Sequence, residues 1–138
     1  MKTLVIFYSY NGSTRRLAQQ LAAETGADLY EVEDQKRPGV PFFKVPAAIG
    51  QKPGKVKPIT ANLAAYDKII IMGPIWASHP APPVNSIIAL LPAGAQVELR
   101  MVSSGGSSEK DKVTALVQSK GAQVTAYLDI ASGQKPPE

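Results

Sequence analysis

The sequence predicts an α/β fold, a doubly wound sheet of five parallel strands with helices on its faces. Three observations carry that prediction. Leu4–Tyr8 and Lys68–Gly73 are apolar, β-branched runs without polar alternation, as strands covered on both faces are. Segments of helical period lie between the strand patterns. The two patterns alternate along the chain, which specifies parallel strands joined through helices.

Taken in order, Thr3–Tyr8 reads as a buried strand. Ser13–Thr25 reads as a helix, with Leu17, Ala18, Leu21 and Ala22 on one stripe and Gly26 as its stop. Asp28–Glu33 alternates and reads as a strand nearer an edge. Asp34–Asn62 is irregular, punctuated by Pro38, Pro41, Pro46, Pro53 and Pro58. A short helix is expected there around Phe42–Ile49, interrupted by Pro46. Lys68–Gly73 is the strongest strand. Pro83–Leu91 is a helix, apolar at Val84, Ile87, Ile88 and Leu91, ending before Pro92. Gln96–Val102 is a strand, Glu109–Lys120 a helix ending at Gly121, and Gln123–Ile130 the last strand. Residues 1–131 are expected to form one domain and 132–138 a mobile tail.

The chain has 138 residues, 44% hydrophobic and 19% charged, enough to bury one core. No apolar run approaches the roughly 20 residues of a membrane helix. Lys2 before Leu4–Tyr8 is too short for a secretion signal. A cytoplasmic protein with no membrane partner is expected. There is no cysteine, which excludes disulfides and thiolate chemistry. The single histidine, His79, rules out a multi-histidine metal site. Net charge is +4. Lys36, Arg37, Lys44, Lys52, Lys55 and Lys57 follow one another with no acid between them. That run reads as a solvated loop, or as an attractor for a phosphorylated ligand or an acidic partner. It carries no nucleic-acid module, so no nucleic acid is expected.

Ligands of open α/β sheets sit beyond the carboxyl ends of the strands. Three loops leave such ends: Ser9–Thr14, Pro74–Pro83 and Ser103–Ser108. The first joins a strand to a helix start, where unpartnered backbone N–H groups attract an anion. Ser9, Asn11, Ser13 and Thr14 add side-chain donors, and Gly12 permits close approach. As a plain helix cap the same loop needs no ligand. Arg15 and Arg16, in the first turn, oppose the macrodipole by roughly 0.3–1 kcal/mol each, which favours an anion nearby. The alternative is that both extend into solvent. Trp76, the only tryptophan, lies in a Pro- and Ser-rich loop with little core to fill, so its ring is expected to stack on a flat ligand. His79 reads as a solvated loop residue or, less favourably, a proton donor.

At these loops the chain resembles the flavodoxin family. Ser9-Tyr10-Asn11-Gly12-Ser13-Thr14 resembles its phosphate loop, with Asn11 where Thr is usual. Gly73-Pro74-Ile75-Trp76-Ala77 resembles the segment that packs an aromatic ring on the flavin. Val102-Ser103-Ser104-Gly105-Gly106-Ser107 resembles the small-residue loop under the flavin's pyrimidine end. The resemblance implies strand order 2-1-3-4-5 and non-covalent FMN. It assigns the phosphate to Ser9, Tyr10, Asn11, Gly12, Ser13 and Thr14. It assigns one ring face to Trp76 with Pro74, Ile75 and Ala77, and the pyrimidine edge to Ser103, Ser104, Gly105 and Gly106. It names no catalytic side chain.

The chain departs from that family in four ways. Its charge is basic, whereas electron-carrying flavodoxins are typically acidic, so an ordinary shuttle role is not expected. No Gly lies between Trp76 and Pro83, where many flavodoxins flip a glycine peptide toward the flavin. A flip there would cost an L-residue about 1–2 kcal/mol, which predicts a poorly stabilised one-electron state. The third loop lacks an aromatic, leaving one ring face open to a substrate. No helix follows the last strand. That strand alternates, with Val124, Ala126, Leu128 and Ile130 on one face and Gln123, Thr125, Tyr127 and Asp129 on the other. Glu98 and Arg100 likewise oppose Val97, Leu99 and Met101. One face near this edge is therefore expected to be wet or to meet a partner, such as a second copy of the chain. The functional expectation is an FMN-binding redox protein serving a redox partner or a small substrate. Two alternatives stand beside it: a flavin-free binding or assembly module, and a site for another phosphorylated ligand. There is no Gly-x-Gly-x-x-Gly, and Gly50–Lys55 is one residue short of a P-loop.

Overall fold

In the computed structural model, which describes residues 2–36, 45–103 and 107–131, the apolar runs become the centre of the sheet. The elements are β1 (Thr3–Tyr8), α1 (Ser13–Thr25), β2 (Asp28–Val32), α2 (Val45–Ile49), a 3₁₀ turn (Leu63–Ala65), β3 (Lys68–Trp76), β4 (His79–Pro80), α3 (Pro82–Ala89), β5 (Gln96–Ser103), α4 (Lys110–Gln118) and β6 (Gln123–Ala131). The parallel order is β2-β1-β3-β5-β6. The two-residue β4 pairs only with β3, antiparallel. Without it, the order is the expected 2-1-3-4-5. The expected short helix begins at Val45, with residues 42–44 and the tail 132–138 outside the described residues.

Side chains alternate across the sheet, so each face has its own core. Leu4, Ile6, Tyr8, Ile69, Ile71, Val97, Leu99 and Met101 form the larger one, with α3 (Val84, Ile87, Ile88) and α4 (Val113, Val117) packed on them. Val5, Phe7, Ile70, Met72 and Val102 form the other, under Ala18 and Ala22 of α1. The sheet is thus covered on both faces at its centre, which is why β1 and β3 show no polar alternation.

The irregular span is pinned across α3. Gly54 N donates to Ser86 Oγ at 2.9 Å, and Ser86 Oγ donates back to Gly54 O at 2.9 Å. Asn85 Nδ2 donates to Lys52 O at 3.1 Å. This strap leaves every residue of α3 from Pro82 to Ile88 buried. On its other side α3 presses against β3 at Gly73, where a Cβ would lie 2.2 Å from Val84 Cγ2.

The face reading of the last strand is corrected by a β-bulge. Val97 pairs with Val124 but Glu98 pairs with Ala126, so Thr125 is extra. Val124 packs with Tyr127 on the larger core. Ala126, Leu128 and Ile130 turn to the other face, in register with Glu98, Arg100 and Val102. Among the described residues α1 is the only helix packed on that face, and Leu128 is 42% exposed. The face is not simply wet. The Glu98 side chain, 8% exposed, accepts Lys68 Nζ at 2.9 Å and Arg100 Nε at 2.5 Å. Burial pushes the Glu98 carboxyl up, but the Lys68 and Arg100 hydrogen bonds and charges together hold it below its ordinary value.

Two outcomes follow from this packing. Gly73→Ala is expected to destabilise the fold by about 1–3 kcal/mol through overpacking; in thermal unfolding, Val84→Ala in the same chain restores part of the loss. Because the Glu98 carboxyl is held low, its contribution to stability is complete above its unfolded value of about 4.3. That contribution drains away as pH falls through the folded value. Acid titration of unfolding is expected to show a shallower acid limb in Glu98→Gln, and equal limbs overturn the assignment.

Candidate functional site

The chain turns left from β1 to β2 and right to β3, so the sheet reverses its order between β1 and β3. The carboxyl ends at such a reversal are the general ligand position in open α/β sheets, of which the flavodoxins are themselves an instance. The structure brings the first loop, the second loop and the start of the third together at this end of the sheet.

The first loop takes the expected form. Gly12 is the N-cap of α1 at φ 103°, a backbone that L side chains rarely adopt. Ser9 Oγ accepts Gly12 N–H at 3.0 Å and closes the turn. Ser9, Ser13 and Thr14 are buried, whereas Asn11 is exposed. The first turn of α1 holds no carboxylate, so hydroxyls, helix dipole and backbone there all favour an anion. Arg15 already has a protein anion beside it. It grips Glu31 of β2 through Nε (3.0 and 3.1 Å) and Nη2 (2.5 Å). Glu31 is the anion that answers Arg15, and no spacing in the sequence announces this pair.

The second loop differs most from expectation. β3 does not stop at Gly73 but runs to Trp76, and the chain returns at once as β4, with Trp76 facing His79 and Ile75 facing Pro80. The two turn residues, Ala77 (φ 52°) and Ser78 (φ 65°), both lie in the left-handed region. That is the signature of a type I′ hairpin, which usually demands Gly or Asn. Each such residue stores about 1–3 kcal/mol of strain. The loop thus adopts left-handed backbone without a Gly. Trp76 is not in open loop either. It is 8% exposed and belongs to the larger core. Tyr8 (ring centres 6.4 Å apart) and Tyr10 (5.8 Å) meet it edge-on. The Tyr10 contact ties the second loop to the first. His79, expected in solvent, is 6% exposed.

Ser103 ends β5, half-buried beside the second loop; Ser104, Gly105 and Gly106 lie outside the described residues. Beyond them the chain is fastened on two sides. Ser108 donates to Asp129 Oδ1 from N (3.1 Å) and Oγ (2.6 Å), and Ser108 Oγ also meets Tyr127 OH. Burial pushes the Tyr127 phenol up; the Ser108 bond draws it partly back and the Asp129 charge adds to the rise. Glu109 N–H donates to Ser78 O at 2.8 Å, joining this segment to the hairpin tip. Each fastening joins residues with no sequence pattern in common. Asp34 accepts Tyr8 OH at 2.6 Å, a pairing that no spacing in the sequence marks.

Comparison with known proteins identifies this arrangement. The sequence model of the NADPH-dependent FMN reductase family matches residues 1–129. A Lactobacillus acidophilus flavoprotein solved in complex with FMN superposes with a TM-score of 0.79 at 20% identity, covering 93% of this chain and 92% of that one. The apo-form of the flavoprotein from the same organism superposes at 0.65 and 20%, covering 94% and 92%. Oxidised flavodoxin 1 of Bacillus cereus superposes at 0.56 and 19%, covering 95% and 84%. No curated protein matches the chain. The buried hydroxyls and carboxylate-free helix start fit a phosphate, whereas Trp76, packed edge-on by Tyr8 and Tyr10, presents little of its own surface to a flat ring. The chain belongs to the NADPH-dependent FMN reductase family, with a flavodoxin-like fold and FMN as its cofactor.

Proposed function

We propose that the protein is an FMN-dependent oxidoreductase that reduces a small substrate. The observation that carries this reading is the meeting of an anion-favouring helix start with an aromatic hairpin at the sheet's switch point, joined by Tyr10 and Trp76. Ser9, Tyr10, Asn11, Gly12, Ser13 and Thr14 hold the phosphate in this reading. Pro74, Ile75, Trp76 and Ala77 line one ring face, and Ser103, Ser104, Gly105 and Gly106 take the pyrimidine edge. FMN, when held there, would supply two-electron chemistry, with a nicotinamide, the donor named by the family, as the source of hydride. The protein's part is to fix the ring, to match the phosphate charge and to keep water from one face. The basic net charge of +4 suits anionic small molecules better than the basic docking face of a flavodoxin partner. The cytoplasm is the proposed location; among the described residues no helix is long and apolar enough to cross a membrane.

The uncovered face of β5 and β6, with Leu128 42% exposed next to Ala126 and Ile130, is the proposed contact with a second copy of the chain. Light scattering at rising concentration is expected to show a dimer that Leu128→Lys weakens; a monomer throughout overturns this part alone.

Adding FMN to the protein is expected to quench flavin fluorescence and shift the visible bands. Thr14→Val is expected to weaken FMN about tenfold or more, the worth of one hydrogen bond to a charged group. It should leave riboflavin affinity as it was, because riboflavin has no phosphate. Equal losses for both ligands overturn the phosphate assignment. No spectral change at micromolar FMN overturns the flavin reading and favours the module without flavin.

A further inference from the structure

The hairpin between β3 and β4 is held in a conformation its sequence resists. Ala77 and Ser78 carry Cβ atoms yet sit at φ 52° and 65°, where glycine is the ordinary occupant. The strands behind them offer little to enforce the turn. β4 has two residues, and Pro74, having no N–H, cannot return the bond it accepts from Ala81 N–H at 3.0 Å. Something else must fix the tip.

Both carbonyls of the tip are taken up. Ser78 O accepts Glu109 N–H at 2.8 Å. Ala77 O lies 2.7 Å from Nδ1 of His79, two residues on. At that distance a bare Nδ1 would set lone pair against lone pair, so the hydrogen is on Nδ1 and is donated to Ala77 O. Nε2 is buried with no hydrogen-bond partner among the described residues. A ring placed to satisfy itself would not leave that atom bare. The cost is explained if the ring is there for the bond at Nδ1.

We propose that His79 is a positioning residue of the flavin site: its Nδ1–H holds Ala77 O and thereby fixes the left-handed Ala77–Ser78 turn in the shape that receives the ring. The inference rests on the flavin reading above. It gives the only histidine of the chain a task that involves no proton transfer. A turn fixed before the ligand arrives loses less freedom on binding, which is the usual source of affinity in preorganised sites.

The test has two arms. In the unliganded protein, ¹⁵N spectra of the imidazole are expected to show the hydrogen on Nδ1; a hydrogen on Nε2 overturns the latch whatever FMN does. FMN titrations form the second arm. His79→Leu is expected to weaken FMN about three- to tenfold, the worth of one ordinary hydrogen bond. His79→Asn, whose side-chain amide places an N–H where Nδ1 stood, is expected to recover most of that loss. In a Ser78→Gly background, where half the strain is gone, the His79→Leu penalty should shrink to less than twofold. An equal penalty in both backgrounds, or no recovery with Asn, overturns the positioning role. An unaltered protein that carries the Nδ1 hydrogen but binds no FMN overturns the flavin reading and the role built on it, while leaving the latch itself in place.

Discussion

The parallel ladder between β1 and β3 is the constraint on which the rest depends. It runs from Thr3 opposite Lys68 to Phe7 opposite Met72 and closes a chain separation of 65 residues at Lys2 and Asp67. Because each partner is apolar on both faces, the pair is stable only in the middle of the sheet, with helices on either side. The register then dictates where the carboxyl ends fall. Tyr8 and Trp76 meet there, Tyr10 follows, and the first and second loops are brought together. A shift of one residue would send each side chain to the opposite face and separate those rings.

What could be read from the sequence was what local physics settles locally. β1 and α1 begin and end where their residues say, because an unbroken apolar run and a Gly-bounded amphipathic stripe each have one good solution. The three loops were legible for the same reason, since they are the breaks between such elements. Long-range pairings were not. Arg15 looked like a cation awaiting an anion, but Glu31 of the neighbouring strand already supplies one. The alternation of the last strand was real, yet one bulge at Thr125 reversed the faces of everything after it. The hairpin at Ala77–Ser78 was hidden because its residues carry none of the usual signals of a type I′ turn. Read as a loop, the segment offers Trp76 little core and leaves His79 to solvent; the returning strand buries both.

The two faces of the sheet have been treated differently. One carries α2, α3 and α4 over the larger core. The other, among the described residues, carries α1 alone. Where a second helix is lacking, Glu98 draws Lys68 and Arg100 together over the sheet. An ion triad so placed is a weak source of stability, since desolvation offsets much of the attraction. It does shield the backbone of β5 without requiring an apolar cover, which lets this edge stand in water or against a partner.

None of the nine residues of β6 is fully buried, so this edge strand is held less deeply than the strands beside it. The segment that leads into α4 is moored to that strand through Ser108, Tyr127 and Asp129. The first loop is moored instead to β1 and α1, both rooted in the core. The site therefore has one stiff bank and one pliant bank. The helix start is thus anchored in the core, and the far end only in an edge strand.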